Sequence, residues 1–308
     1  MPAINPVKVL TPMVKRISST HQYFLVSLLL FMSCDKTMVA DPNYEREIIN
    51  FRQSRVTFLK SEKGYINLVG LYWLREGENS FGSGADNDMV FPAEFPENFG
   101  VAIKSGDSIK FDYSQPVTHN DQEDLANLTF FLDERPNLFS WKSFQWFILK
   151  SGGNYAVRLR NFENPVLKKP LNLNFYPVDN DWRIMGQYEA YPETRIRSIT
   201  NIRDIDYDQQ APGIITFKRN GNIYNLEPNT SGESMSVIFM DRTTGEETFS
   251  GGRFLLLDKP DDQGKIILDF NKALNFPCAL NAFTTCPIPP ERNRLTFLVE
   301  AGEKAYDH

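Results

Sequence analysis

Apolar residues recur at near-helical spacing in a single stretch of this chain; elsewhere they alternate with polar residues or form short runs cut by glycine, proline and Asn/Asp groups. Asp41-Pro42 offers an N-cap followed by proline at the first helical position. Tyr44, Ile48, Phe51, Phe58 and Leu59 then predict one helix that ends before Gly64. From Tyr65 the period shortens. Residues 65–69, 71–74, 88–91, 101–103 and 108–111 are β-prone runs between turn-forming clusters. The polar, acidic stretch 118–136, which carries His119, reads as a loop. Residues 141–150 and 155–160 flank Ser151-Gly152-Gly153-Asn154, the pattern of a hairpin.

After a proline-containing connection over 161–173, a second β set begins at Trp182 and runs through 182–188, 194–205, 213–218, 223–226, 236–240, 253–257, 266–270 and 295–299. The joining turns at 219–222, 243–245 and 261–264 each hold the glycine that a tight hairpin wants. The expected fold is therefore mainly β, built from two packed antiparallel modules behind a short N-terminal helix. Residues 42–180 carry the helix and a sandwich-like half, and residues 181–308 carry a meander.

The N-terminus reads differently. Basic Lys15 and Arg16 precede an apolar run over 23–32, too short to span a bilayer and of the length of a secretory core. Ser33-Cys34 at its end resembles the lipobox of bacterial lipoproteins, with Phe31 where leucine is usual. That resemblance implies a signal peptide over 1–33, acylation of Cys34, a tether over 34–41, and a place in the cell envelope, on the periplasmic or cell-surface side.

Charge narrows the partners. The net charge of −6 becomes −9 without residues 1–33, whose charged side chains are Lys8, Lys15 and Arg16. Such a surface argues against nucleic acid and leaves the membrane, reached through the lipid, and a small molecule as partners. With Cys34 acylated, Cys278 and Cys286 remain, an even pair; in an exported protein a disulfide closing that short loop is the expected state.

Candidate chemistry is limited by histidine. Of three histidines, His21 lies in the signal segment and His308 is the last residue, so only His119 could serve a nucleophile. No G-x-S-x-G elbow, Walker loop or G-x-G-x-x-G after a strand is present. What stands out is a set of polar residues placed in apolar runs: Asp241, Arg253, Asp269, Asn271, Arg294, Glu300 and Glu303. By strand alternation Asp241 shares a face with Val237 and Phe239, Arg253 with Leu255 and Leu257, and Asp269 and Asn271 with Ile267. Buried charges must be paired or bound to something. Three readings stay open: arginine-aspartate pairs that pin turns, a pocket for a small ligand or ion, and a carboxylate-based, metal-assisted hydrolase. No cofactor and no specific metal is assigned.

The segments PGIITFKRNGNIYNLEP, IFMDRTTGEETFSGGRFLLL and LDFNKALNFPCALNAFTTCPIPPERNRLTFLVEAGEK resemble the bacterial and archaeal family catalogued as domain of unknown function 1684. GYINLVGLYWLREGENSFGS, YAVRLRNFENP and FYPVDNDWRI are similar to that family's N-terminal half. Phe276 before Pro277 and Phe249 depart mildly from its pattern. The resemblance implies kinship and no activity, because none is assigned to the family.

Overall fold

The computed structural model describes residues 41–120, 122–131 and 137–306. The expected signal segment, Cys34 and all of the tether but Asp41 lie outside them, as does His308. Helix α1 (Pro42–Lys60) starts where the capping pattern places it: the Asp41 carboxylate accepts the Asn43 N–H at 3.0 Å, and Glu45 and Lys60 sit at the ends that favour their charges. It stops at Lys60, where Ser61 turns its N–H onto the Phe58 carbonyl. No helix among the described residues is long and apolar enough to cross a membrane.

The first half forms one large sheet from β1 (Leu68–Trp73), β2 (Gly77–Gly82), β3 (Met89–Val90), β4 (Gly100–Ser105), β5 (Ser108–His119), β6 (Gln122–Phe131), β7 (Leu138–Trp141), β8 (Phe144–Ser151) and β9 (Asn154–Asn161). Their order is β1-β9-β8-β7-β5-β4-β2-β3, with β6 also on β5, and every pair but β2–β3 is antiparallel. Alternate positions turn inward onto an aromatic core that includes Phe81, Phe99, Phe111, Phe139 and Trp146. The hairpin expected at 151–154 is β8–β9, with Ser151 opposite Asn154.

The stretch expected as a loop behaves otherwise. β5 runs on through His119 and pairs with β6, Ser108 lying opposite Phe131. About the turn of this ribbon Asn120 and Gln122 are exposed, so no apolar alternation announces the pairing there, although Val117 of β5 is buried and Leu128 of β6 packs against the core. His119 is therefore a strand residue, its ring stacked on Phe139 at 4.6 Å between centroids.

The second half holds β10 (Arg183–Thr200), β11 (Asp206–Arg219), β12 (Asn222–Leu226), β13 (Asn229–Ser231), β14 (Ser234–Phe239), β15 (Arg253–Leu257), β16 (Lys265–Asp269) and β17 (Leu274–Asn275). They divide into two antiparallel sheets, β12-β11-β10-β16 and β13-β14-β15-β17, which share a core of Ile215, Phe217, Val237, Phe239, Leu255 and Leu268 among others. The two runs read at 182–188 and 194–205 form one strand, β10, whose register shifts between Ala190 and Arg195. Pro192 lies inside that shift; it has no N–H to give the ladder, so a bulge is where a strand can hold it. The turn read at 243–245 is not a tight hairpin between the paired strands β14 and β15, and that at 261–264 joins β15 to β16 of the other sheet. The former lies within the 240–252 loop, where Thr248 and Gly245 bond back on Thr243 and Thr248.

Candidate functional site

The polar residues singled out in the sequence resolve into separate groups. Asp241 and Arg253 form a fully enclosed ion pair, Nη2 to Oδ2 at 2.8 Å with neither side chain exposed. The other Asp241 oxygen accepts the Thr243 N–H at 2.8 Å, the Thr243 hydroxyl at 2.7 Å and the Val299 N–H at 3.0 Å. Arg253 also donates to the carbonyls of Val299, at 2.9 Å, and Ala301. Arg253 Nε has no acceptor among the described residues, but the pair is fully enclosed and does not line the pocket described below; it pins the C-terminal segment to β14 and β15.

Two glycines make that pin possible. Gly252 has φ +85°, and a Cβ there would sit 2.7 Å from the Phe239 carbonyl oxygen. Gly302 has φ +78°, and its Cβ would meet the Ala273 carbonyl oxygen at 2.6 Å. Both permit the close backbone approach that carries Arg253 and Glu303 into place.

Asp269 and Asn271 form a second group, closed by the helix. The Tyr44 hydroxyl donates to Asp269 at 2.7 Å, and the Asn271 amide donates to Tyr44 at 2.9 Å and to the Asp179 carbonyl at 2.8 Å. Burial, and then the Asp269 carboxylate, push the Tyr44 phenol well above its usual range. Cys278 and Cys286 do not cap this group. They pack with Ile238, Phe254 and Phe276, and the structure holds them as free thiols, the Cys278 N–H donating to Cys286 Sγ at 3.2 Å. Hydrogen bonding from Cys278 lowers the Cys286 thiol and raises that of Cys278.

Arg294 is exposed and pairs with Glu291 at 2.8 Å, and Glu300 is exposed. Glu303 is buried; its Oε2 accepts the Asn275 N–H at 2.8 Å, while Oε1 has no hydrogen-bond donor among the described residues. Burial raises its carboxyl above the ordinary glutamate range. Its counter-charge is Arg55 of α1, whose Nε lies 3.8 Å away, beyond hydrogen-bond reach.

Arg55 leads to a site that the set from Asp241 to Glu303 did not include. Residues 51, 54, 55 and 58 lie on one face of α1 by their spacing, and Phe51, Ser54, Arg55 and Phe58 all line a pocket of about 550 Å³. The opposite wall is the outer face of the β13-β14-β15-β17 sheet. Strand register builds it in rows: Asn229, Ser236 and Leu256 lie across from one another, as do Ile238, Phe254 and Leu274. The residues between them in sequence, Val237, Arg253 and Leu255, point into the core. Tyr65, Phe276, Pro277 and Pro287 help close the rim, so each cysteine of the 278–286 loop adjoins a proline of the wall.

The volume falls within the ~300–1,000 Å³ usual for small-molecule sites, and apolar walls with a few polar groups are their usual composition. What the arrangement offers chemically is desolvation, aromatic surface and one buried guanidinium. Among the described residues no three His, Cys, Asp or Glu side chains come together as metal ligands, and no two carboxylates of the set from Asp241 to Glu303 share a hydrogen-bond network. The signal for the pocket was present in sequence as an arginine inside the apolar stripe of α1; which sheet face it covers was not.

No curated protein matches this chain. A solution NMR structure of an uncharacterised protein from Haloarcula marismortui is 28% identical to it, covering 43% of this chain and 75% of its own, with a TM-score of 0.37. The pieces similar to the 1684 family upstream of residue 171 fall outside the family match. Residues 171–304, which contain the Asp241–Arg253 pair, both cysteines and most of the sheet wall of the pocket, match the family model described as protein of unknown function (DUF1684).

Proposed function

We propose that this protein is a lipid-anchored, exported module of the cell envelope that binds a small apolar ligand in the pocket between α1 and the β13-β14-β15-β17 sheet. The observation that carries the reading is the pocket itself: a roughly 550 Å³ recess whose walls expose Phe51, Phe58, Phe254, Leu256 and Phe276 to solvent-sized space. Apolar side chains arrayed around a concavity gain about 25 cal/mol for each Å² removed from water when a ligand fills it. The anchor rests on the sequence of residues 15–34, and the polar groups of the C-terminal half serve mainly as scaffold for the wall.

Two measurements test the proposal. A neutral fluorescent probe such as N-phenyl-1-naphthylamine is expected to brighten on binding and to be excluded by Ser236→Phe, which fills the recess; an unchanged signal with the wild-type protein defeats the binding reading. Metabolic labelling with an alkynyl fatty acid is expected to tag the wild type and not Cys34→Ser. Absence of label on the wild type defeats the anchor and leaves the pocket reading standing.

A further inference from the structure

We infer that the ligand of this pocket is an amphipathic acid, an apolar chain carrying a carboxylate or comparable anion, with Arg55 as its anchor; this rests on the binding reading above. The argument begins with the guanidinium. Arg55 is buried and lines the pocket. Its Nη2 donates to the Asn275 carbonyl at 2.9 Å, and its Nε has no hydrogen-bond acceptor among the described residues. An arginine presents five N–H donors in a fixed fork, so this one is incompletely used.

Its charge is also incompletely met. The facing carboxylate, Glu303, is 3.8 Å away, holds a backbone N–H instead of a guanidinium N–H, and is itself short of donors. Arg253, the other guanidinium of this region, also has an Nε without an acceptor among the described residues, but its charge is met by Asp241 at 2.8 Å and it does not line the pocket. Burying a cation costs unless it is paired and hydrogen-bonded, and a protein can tolerate the deficit where an incoming anion supplies the missing acceptors. A carboxylate can take two parallel bonds from the arginine fork.

The remaining wall suits a chain in place of a second polar head. Ile238, Phe254, Leu274 and Phe276 form a continuous apolar floor. Of the polar residues that also line the pocket, Asn229 donates to the Ser236 hydroxyl at 3.0 Å, its Oδ1 having no donor among the described residues, and Ser54 and Gln209 are uncharged. The lining thus holds one charged group, Arg55, in a wall that is otherwise mainly hydrocarbon, the composition that an amphipathic acid would match.

The test is displacement of the neutral probe by decanoate and by 1-decanol, which share a chain and differ in the head. In the wild type decanoate is expected to displace the probe at a concentration about tenfold or more below that of decanol, the scale of a charge-assisted hydrogen bond. Arg55→Met is expected to abolish that preference, so that decanoate and decanol displace the probe at similar concentrations. Because Arg55 is buried and its loss can impair folding, Ser54→Glu provides a second variant: Ser54 is exposed on the pocket face of α1, and an acid there repels decanoate and not decanol. Equal displacement by acid and alcohol in the wild type overturns the inference and leaves an apolar site. A probe that does not bind at all overturns the binding reading and the inference with it.

Discussion

Removing the Asp241 carboxylate is the sharpest test of the scaffold. In Asp241→Ala the Arg253 guanidinium keeps its carbonyl acceptors but loses the carboxylate it is bonded to, at 2.8 Å, and remains enclosed. The donors of Thr243 and Val299 lose their acceptor in the same step. Breaking one side of a buried pair costs about 3–5 kcal/mol, most of it the stranded charge. For a domain of this size about 2–4 °C of Tm accompanies each kcal/mol, so a fall of about 6–20 °C is expected. Urea unfolding followed by circular dichroism reads the free energy directly, with an unchanged m-value showing that the unfolded state is not what moved. Asp241→Leu combined with Arg253→Met strands no charge, so the double variant is expected to lose less than the sum of the single ones. A loss below about 1 kcal/mol for Asp241→Ala, or strict additivity in the double variant, would refute the account of this pair as the pin of the C-terminal segment.

Three further outcomes are expected. Glu303 has its carboxyl raised by burial, so its protonated form suits the folded state and the stability tied to it is full below the ordinary glutamate value and lost as pH rises through the raised one; Glu303→Gln should therefore gain Tm relative to wild type as pH goes from about 4 to about 8, and a constant difference across that range contradicts the burial argument. Tyr44→Phe removes the donor to Asp269 and an acceptor from Asn271, which should cost about 1–2 kcal/mol and speed amide exchange in the first turns of α1; unchanged exchange there means that the helix is held by other contacts. Cys278 and Cys286 lie close enough for the Cys278 N–H to reach Cys286 Sγ, and in protein purified from an oxidising compartment without reductant the pair is expected to yield no titratable thiol after denaturation. Two thiols per chain would show that the pair stays reduced.

Much of the architecture was legible because it is written in local signals. The N-cap and proline at 41–42 located α1, and glycine-centred turns at 151–154 and 219–222 located two hairpins. Signals that depend on burial failed where burial is absent: about the turn of the β5–β6 ribbon Asn120 and Gln122 are exposed, so its composition looked like a loop. The parity argument turned Val237 with Phe239, and Arg253 with Leu255, inward as the structure has them, but failed on β16, where Ile266 and Leu268 enter the core and Ile267, the neighbour used for Asp269 and Asn271, does not; nor could it say which charges meet. Asp241 found Arg253, whereas Asp269 found Tyr44 from α1, a partner separated from it by 225 positions.

By itself, then, the sequence determined the β-rich class, the position of the helix, the alternation that sends Arg253 inward, and the scarcity of histidine that removes most hydrolytic nucleophile-base pairs. Only the tertiary structure decided that the outer face of β14 and β15 lies under Phe51, Arg55 and Phe58, and that Arg55 meets Glu303 at the wrong distance for a hydrogen bond. The reason is physical. Periodicity specifies which side chains of one element share a face, but pairing between faces depends on how elements far apart in the chain come to rest, and a pocket exists only between them.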